Sequence, residues 1–545
     1  MTDAADPMDE NAAGAALGRG KATIVFLGIV LGYLLTAPTN HSLSVDTYYY
    51  ALIITHDPII DVENPRLFLW LAAMKGLYRL ASAVLTDIDL FRLIGVVNAV
   101  LASLAVMLLA RLLVRDFSLA RRSAWLTAGL FASCYGFWRY ATEIEVYASA
   151  VLLSLLLVHA AFRLVRNAPA RSFGSVLGLA VLGGIGTLTY QPIGIVAGLV
   201  VPVFLLLSGR IRYLAQYSAI AGAMVIGGFG LAAHLGTEEE AAHAVSFVLQ
   251  ADHVAPKLPS PMSLAKMVYA VSHDLLSTNW MFAIESLRER FRLTEGFFLH
   301  QEHRFVAENA GPQVWVALAT LPAAAVLGLV IIGTAWRTKP RQAIDAREAA
   351  VIVWLVAHGA MMLTLSPLGF EGWIPGLVPL AVLSGKRLIA PCVAADRSAV
   401  VAALLAVFIV HNGIVGIGTQ MREAGDYLHT RGTALIERVR PGDLIVMAAH
   451  WNLERYLRFN NAPRAIIVEK EGVNAVRRAI EETLDRGGRV LILDDVAAPT
   501  RLSRGRRVLV PDLVALTNDY LGNAERFATG QAGWAYEVRR EEDKE

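Results

Sequence analysis

Residues 90–110 read LFRLIGVVNAVLASLAVMLLA, and the next twelve, 111–122, read RLLVRDFSLARR. The first segment is as long as a helix needs to be to cross a hydrocarbon core of about 30 Å. The second carries Arg111, Arg115, Arg121 and Arg122, and short basic loops are retained on the cytoplasmic side of a membrane. Together they predict a transmembrane helix with its carboxyl end inside. Outward from this pair the pattern repeats. Apolar runs at 22–38, 123–138, 142–162, 173–189, 192–208, 215–235, 313–335, 349–366, 371–386 and 399–418 bring the expected spans to eleven.

Composition agrees. Of 545 residues, 55% are hydrophobic and 18% charged, against about 25% charged in soluble domains. That excludes a soluble enzyme, a disordered chain and a fibrous one. Lys+Arg number 49 and Asp+Glu 47, a formal charge of +2, so nothing global points to nucleic acid. Cys134 and Cys392 lie in apolar stretches and offer neither a zinc pattern nor a disulfide framework. Residues 1–21 are polar, open with Asp3, Asp6, Asp9 and Glu10, and read as a disordered cytoplasmic tail. The run 22–38 follows Arg19 and Lys21 and lacks a small-x-small cleavage site, so it reads as a retained anchor.

One run, 67–85, could span or lie flat. Loop charge decides between the two. Arg163, Arg166 and Arg171, then Arg210 and Arg212, then Arg337, Lys339, Arg341 and Arg347, then Lys386, Arg387 and Arg397 mark four more basic loops. All five fall inside only if 67–85 stays on the outer surface. Lys75 and Arg79, four apart on one helical face, fit a helix lying flat. The expected topology has the N-terminus in the cytoplasm, a membrane domain over 22–418 with outer loops 39–89 and 236–312, and residues 419–545 outside, in the plasma (inner) membrane.

After Gly418 charges become dense and long apolar runs stop. Residues 443–449, 464–468 and 489–494 read as buried strands, and 451–459 and 472–486 as helices, with Gly487-Gly488 as a helix stop. Strands alternating with helices imply a small α/β domain with a parallel sheet. No glycine-rich phosphate loop follows a strand. The tail from Arg539 onward reads as frayed.

Ionisable groups at a membrane face are expensive and commonly functional. Asp46, in Ser44-Val45-Asp46-Thr47-Tyr48-Tyr49-Tyr50, stands a few residues beyond the first span. It could take a proton from an acceptor hydroxyl, or cap a helix over Thr47 to Ala51. The tyrosines fit an interfacial belt or a surface for stacking a sugar. Glu143 and Glu145, in Glu143-Ile144-Glu145-Val146-Tyr147, follow the outer turn Trp138-Arg139-Tyr140 at the start of the fourth span; on a helix they would face different ways. Asp57, Asp61 and Glu63 precede Asn64-Pro65-Arg66 and read as solvated loop charges. Arg66 and Arg139 sit where a lipid phosphate would lie, and Arg suits bidentate phosphate contact. Gln191, in Tyr190-Gln191-Pro192, could bond a ligand or satisfy a broken helix. His300 and His303 are three apart, but with no second cluster no metal is assigned.

The order of these features resembles the GT-C superfamily of polytopic glycosyltransferases, and within it the protein O-mannosyltransferase-like group with its TMEM260-type domain of unknown function. The resemblance rests on Ser44-Val45-Asp46, then Asn64-Pro65-Arg66-Leu67-Phe68, then Phe91-Arg92-Leu93-Ile94-Gly95-Val96-Val97-Asn98, Phe137-Trp138, Glu145-Val146-Tyr147, Gly372-Trp373-Ile374-Pro375 and Arg440-Pro441-Gly442-Asp443-Leu444-Ile445. It is densest over 25–210. It implies a GT-C-like membrane fold of about eleven transmembrane helices with an extracytoplasmic α/β domain. It also implies transfer of a sugar from a polyprenyl-phosphate carrier to an extracytoplasmic acceptor, with inversion. Asp46 would be the base, Arg66 and Arg139 the phosphate clamp, and Glu145 would position sugar or acceptor, with Glu143, Tyr147 and Gln191 as further binding residues. The lipid-linked sugar is the donor substrate; no cofactor beyond it is assigned, and the role of a divalent ion stays open, with nothing in the residues to support one. A transporter or flippase, or an inactive scaffold, are the rival readings.

Overall fold

The computed structural model describes residues 19–41, 46–57, 67–166, 173–235, 259–287, 311–338, 343–421, 426–497, 510–522, 524–529 and 533–540. The chain divides into two compact units: a helical one from 1–37, 58–280 and 311–418, and a second from 38–57, 281–310 and 419–545.

The helical unit begins with α1 (Arg19–Leu35). The second unit takes the next helix, α2 (Thr47–Thr55). The helical unit then continues with α3 (Phe68–Val84), α4 (Leu90–Arg115), α5 (Arg121–Ala132), α6 (Tyr135–Tyr140), α7 (Tyr147–Arg166), α8 (Phe173–Thr189), α9 (Ile193–Leu207) and α10 (Ile211–Leu235). It closes with α11 (Pro261–Leu275), α12 (Pro312–Arg337), α13 (Ala346–Leu365), α14 (Phe370–Ala394) and α15 (Ser398–His411, which runs on as a wider turn over Asn412–Ile417). Among the described residues seven helices are long and apolar enough to cross a membrane, and Gly20–Leu35, α8 and α9 are shorter apolar helices. This is a polytopic membrane protein.

Ten of the eleven expected runs each form one apolar helix. The eleventh, 123–138, does not. It breaks after Ala132, where Cys134 is extended at φ −59°, ψ 134°. The Asn412 side chain donates to the Ser133 carbonyl at 2.7 Å, so the break costs no buried hydrogen bond. The run expected at 142–162 starts only at Tyr147, because 141–146 are a turn. The 67–85 run is a seventeen-residue helix, α3. Lys75 and Arg79 do not share an open face on it: Lys75 is buried with Trp70, Leu71 and Met74, and Arg79 is exposed. Inside the expected outer loop 236–312, α11 is ordered; Ser260 caps it by accepting from the Ser263 amide, and Pro261 is its first residue.

In the second unit, α16 (Tyr427–Ile436) leads into β1 (Leu444–Met447), α17 (Trp451–Phe459), β2 (Ala465–Ile467), α18 (Val473–Asp485), β3 (Val490–Leu493), α19 (Val510–Tyr520), β4 (Glu525–Ala528) and β5 (Trp534–Val538). The sheet order is β2-β1-β3-β5-β4. β1 is parallel to β2 (Val446 opposite Ile466) and to β3 (Ile445 opposite Leu491). β5 runs antiparallel to β3 and to β4. β1 and β3 are buried throughout, as strands covered on both faces should be. Val476, Ala479, Ile480 and Leu484 recur at helical spacing on α18 and pack on Leu444, Val446, Val490 and Ile492. After α18, Gly487 at φ +74° makes the left-handed exit of a helix end, donating to the Leu484 carbonyl while Gly488 donates to that of Thr483. The expected parallel sheet is there; the antiparallel pair β5-β4 extends it.

Candidate active site

In the helical unit the candidate residues gather around the turn 141–146. α6 ends by delivering Arg139 and Tyr140, and α7 opens on Tyr147. Between them lie Glu143 and Glu145, 1% and 2% exposed. They sit in the turn rather than on a helix, so the expectation that helical pitch would separate them does not apply. The turn is held from α4: Asn98 donates to the carbonyl oxygens of Glu143 at 2.6 Å and Glu145 at 2.9 Å. Glu145 N–H in turn donates to the Glu143 carbonyl at 2.9 Å.

Around the turn runs a chain of aromatic and charged groups. The Arg139 guanidinium lies 4.9 Å from the Tyr140 ring centroid. Tyr140 donates its hydroxyl to Glu371 Oε2 at 2.7 Å and packs its ring 5.0 Å from that of Tyr147. Tyr147 meets Tyr190 edge-on at 5.7 Å. Gln191 follows in the half-buried turn before α9, its carbonyl accepting from Gly194 N–H at 2.8 Å. The charges of Arg139, Glu371 and Glu145 all act on Tyr140. α11 adds His273 and Asp274, each 1% exposed. The His273 ring packs 4.9 Å from Tyr135 and 4.4 Å from Phe370. Asp274 lies so close to α6 that a Cβ on Gly136 would come within 2.5 Å of its Oδ1, which only glycine permits. A buried patch with a guanidinium, several carboxylates and phenols packed tilted or edge-on can hold a phosphate, hydroxyls and a sugar ring.

The expected site residues Arg139, Glu143, Glu145 and Tyr147 therefore share this patch, with Gln191 adjoining it through Tyr190. Glu371, His273 and Asp274 were missed. Glu371 had a signal, an acid at the start of an apolar run beside the quoted Gly372-Trp373. His273-Asp274 had none, since their helix fell in a stretch read as loop. Arg66 lies outside the described residues, as do Asp61, Glu63, Asn64, Pro65, Ser44 and Val45, the histidines His300 and His303, and nearly all of the tail 1–21.

Asp46 belongs to the second unit. It occupies the N-cap position of α2 but makes no side-chain cap hydrogen bond. Its Oδ1 lies 3.7 Å from Arg455 Nη1 of α17, with the Asp46 side chain 35% exposed. Arg455 also covers the Tyr49 ring at 4.5 Å. The tyrosine run is not an open surface: Tyr48, Tyr49 and Tyr50 are buried, and Tyr48 packs on Tyr456 and Phe459. Asp57 is not a solvated loop charge either. Both its oxygens accept from Arg458 Nη2, at 3.1 and 3.0 Å.

Fold and site together define a polytopic membrane protein with a small C-terminal α/β domain. Among solved structures the chain resembles ArnT from Cupriavidus metallidurans in the apo state, at 13% identity over 94% of this chain and 97% of that one, with a TM-score of 0.51. ArnT from the same organism bound to undecaprenyl phosphate matches at 12% identity over 95% and 98%, with a TM-score of 0.50. No protein-family model matches the chain, and no curated protein matches it by sequence.

Proposed function

We propose that this protein is a membrane glycosyltransferase that moves a sugar from a polyprenyl-phosphate carrier to an extracytoplasmic protein, lipid or glycan. The observation that carries the reading is the full-length likeness to a fold solved with undecaprenyl phosphate bound, joined to a turn that buries Glu143 and Glu145 next to buried Arg139 at the end of α6. The motif order from Asp46 to Glu145-Val146-Tyr147 supports placing it in the protein O-mannosyltransferase-like group. The reading puts the N-terminus in the cytoplasm, the membrane domain at 22–418, and residues 419–545 outside the plasma membrane, with membrane lipids and the acceptor as partners.

The chemistry asks little of the protein. A phosphate-linked sugar already has a stable leaving group, so no protein acid is required. Asp46 takes the proton of the acceptor hydroxyl as that oxygen bonds to the anomeric carbon. The bond from the anomeric carbon to the phosphate oxygen breaks, and its electron pair leaves with the lipid phosphate. One displacement inverts the anomeric centre. Arg139 and Arg66 neutralise the phosphate. Glu145 and Glu143 accept hydrogen bonds from sugar or acceptor hydroxyls, and Tyr147 and Gln191 complete the binding surface.

The test is the glycan and lipid-linked sugar profile of a strain lacking this chain, complemented with wild type or with Asp46→Asn. Loss of the chain should leave carrier-linked sugar to accumulate and one sugar missing from a surface product. Asp46→Asn, inserted at wild-type level, should restore at most about 1% of transfer, the scale of general-base loss. An unchanged profile on deletion, or full restoration by Asp46→Asn, would count against the assignment.

A further inference from the structure

β1 and β3 are parallel neighbours, so both end at the same edge of the sheet. Ligands of open parallel sheets collect beyond the carboxyl ends of the strands. Here β1 is followed by Ala448, Ala449 and His450, and β3 by Asp494 and Asp495. His450, Asp494 and Asp495 each offer one donor atom, all within 4.8 Å of one another. Asp495 is 3% exposed. Its Oδ2 accepts from the amides of Ala448 at 2.8 Å and Ala449 at 3.2 Å and lies 3.6 Å from His450 Nε2. Its Oδ1 is buried with no hydrogen-bond partner among the described residues. An orphaned carboxylate oxygen in such a place needs a counterpart.

Among the described residues no ion pair supplies it. Arg431, 1% exposed on α16, pairs with Asp494 Oδ1. One guanidinium therefore faces two carboxylates.

The geometry points to a divalent-cation site formed by His450, Asp494 and Asp495, of the class that takes Zn²⁺. Imidazole nitrogen with carboxylate oxygen suits a borderline transition ion better than Mg²⁺ or Ca²⁺, which prefer oxygen alone. His450 Nε2 now lies 3.5 Å from Arg431 Nη1. That nitrogen also donates to Tyr427 Oη at 2.7 Å, so His450 can turn its lone pair to an ion without stranding the arginine. Arg431 keeps Asp494 in place from behind, as groups bonded to metal ligands commonly do. Three protein ligands leave a fourth position open to water or to an acidic group of a bound partner. This site lies in the α/β domain and stands whether or not the transferase reading holds.

The experiment uses the full-length, tag-free protein in detergent, stripped with chelator, dialysed against Zn²⁺ and measured for bound metal and for isothermal titration heat. One equivalent should bind, and the melting temperature should rise with Zn²⁺ as it must for a ligand of the native state. His450→Gln and Asp495→Asn should each weaken binding at least tenfold, while Asp519→Asn, on an exposed ion pair with Arg477, should leave it unchanged. His450 is half-exposed, so His450→Gln keeps the test valid even if Asp495→Asn fails to fold. Absence of stoichiometric Zn²⁺ in the wild type, a preference for Mg²⁺ over Zn²⁺, or undiminished binding in His450→Gln would overturn the site.

Discussion

Asn98 shows how one side chain can set a site. It is 0% exposed in the middle of α4, and its amide donates to two carbonyls of the turn that carries Glu143 and Glu145. Asn98→Asp replaces a donor by an acceptor and turns both contacts repulsive. A buried carbonyl left unsatisfied costs about 1–3 kcal/mol. The expected outcome is a melting temperature lowered in detergent together with transfer activity lost more than tenfold. Asn98→Leu should cost stability without adding a buried charge, and so should lie between Asp and wild type. Arg455 is the second residue to test. It holds Asp46 at 3.7 Å and covers Tyr49. Arg455→Ala should lower kcat of transfer about tenfold, the equivalent of about 1.4 kcal/mol of lost positioning, with normal membrane insertion; wild-type kcat would show that Asp46 needs no such support. Residues of this kind divide sharply in how readable they are. Arg139 and Glu145 announce themselves because a charge beside an apolar run is unusual. Arg455 does not, because it is one cation among many on a soluble helix and its partner lies four hundred residues away. Folding, not local pattern, makes the pair.

Among elements, the apolar helices and the three parallel strands follow directly from hydrophobic run length, because burial drives both. The places where that reading failed are those where a polar side chain replaces a helical hydrogen bond. Asn412 is the clearest. Lying in the wide turn at the end of α15, it donates to the carbonyls of Ser133 at 2.7 Å and Leu275 at 2.8 Å and accepts from the Ser277 amide at 2.9 Å. It thus closes the break between α5 and α6 and the end of α11 at once. Hydropathy across 123–138 cannot reveal this, since the compensating group is nearly 280 residues downstream. Asn412→Leu should destabilise by about 3 kcal/mol or more, from three unmade bonds at about 1 kcal/mol each, read as a drop in melting temperature with increased proteolysis at 133–134. The edge strand β4 was missed for another reason: it reads Glu-Arg-Phe-Ala, too short and polar to distinguish from loop. In the sheet itself, Arg489 pairs with Asp443 and Glu537. Burial alone would raise the Asp443 carboxyl, but hydrogen bonds from the Arg489 side chain and from the Arg440 and Arg489 amides hold it below the usual range. Glu537 is likewise raised by burial and lowered by more, through Arg539, Arg489 and Arg438. Carboxylates lowered in the folded state stabilise it above their ordinary pKa, and that contribution disappears as pH falls through their folded values. Hydrogen exchange of β1 and β3 in the full chain should therefore accelerate below about pH 4. Arg489→Met should accelerate it already at pH 7, by removing the partner of two buried acids, and should flatten the remaining acid dependence.

At the scale of the whole molecule the question is which face is which. The helix ends at the basic loops carry partly compensated charge. Buried Asp116 takes Arg166 at 3.0 Å and His159 at 2.7 Å, and Glu348 takes Lys386 at 3.0 Å and also Arg387. These acids sit on the same helix ends as the arginines, so the neutralised cations are tied down on one face rather than scattered over both. Orientation follows the Lys and Arg content of short loops and is little affected by Asp and Glu, so these pairs do not weaken the expectation that all five basic loops are cytoplasmic. Glu143 and Glu145 of the 141–146 turn lie at the opposite end of α7 from Arg163 and Arg166, which places that turn on the outer face if the loops are inside. A reporter that works only after export, fused after Gly418, should then be active, and one that fluoresces only in the cytoplasm should be dark. Fusions after Arg122 and Arg212 should give the reverse pattern. Exchanging Arg111, Arg115, Arg121 and Arg122 for glutamine should weaken retention of that loop and produce mixed signals at both positions. A cytoplasmic signal after Gly418 in the unaltered chain would move every proposed site residue to the wrong side for an extracytoplasmic acceptor, and would defeat the transferase reading without any assay of transfer.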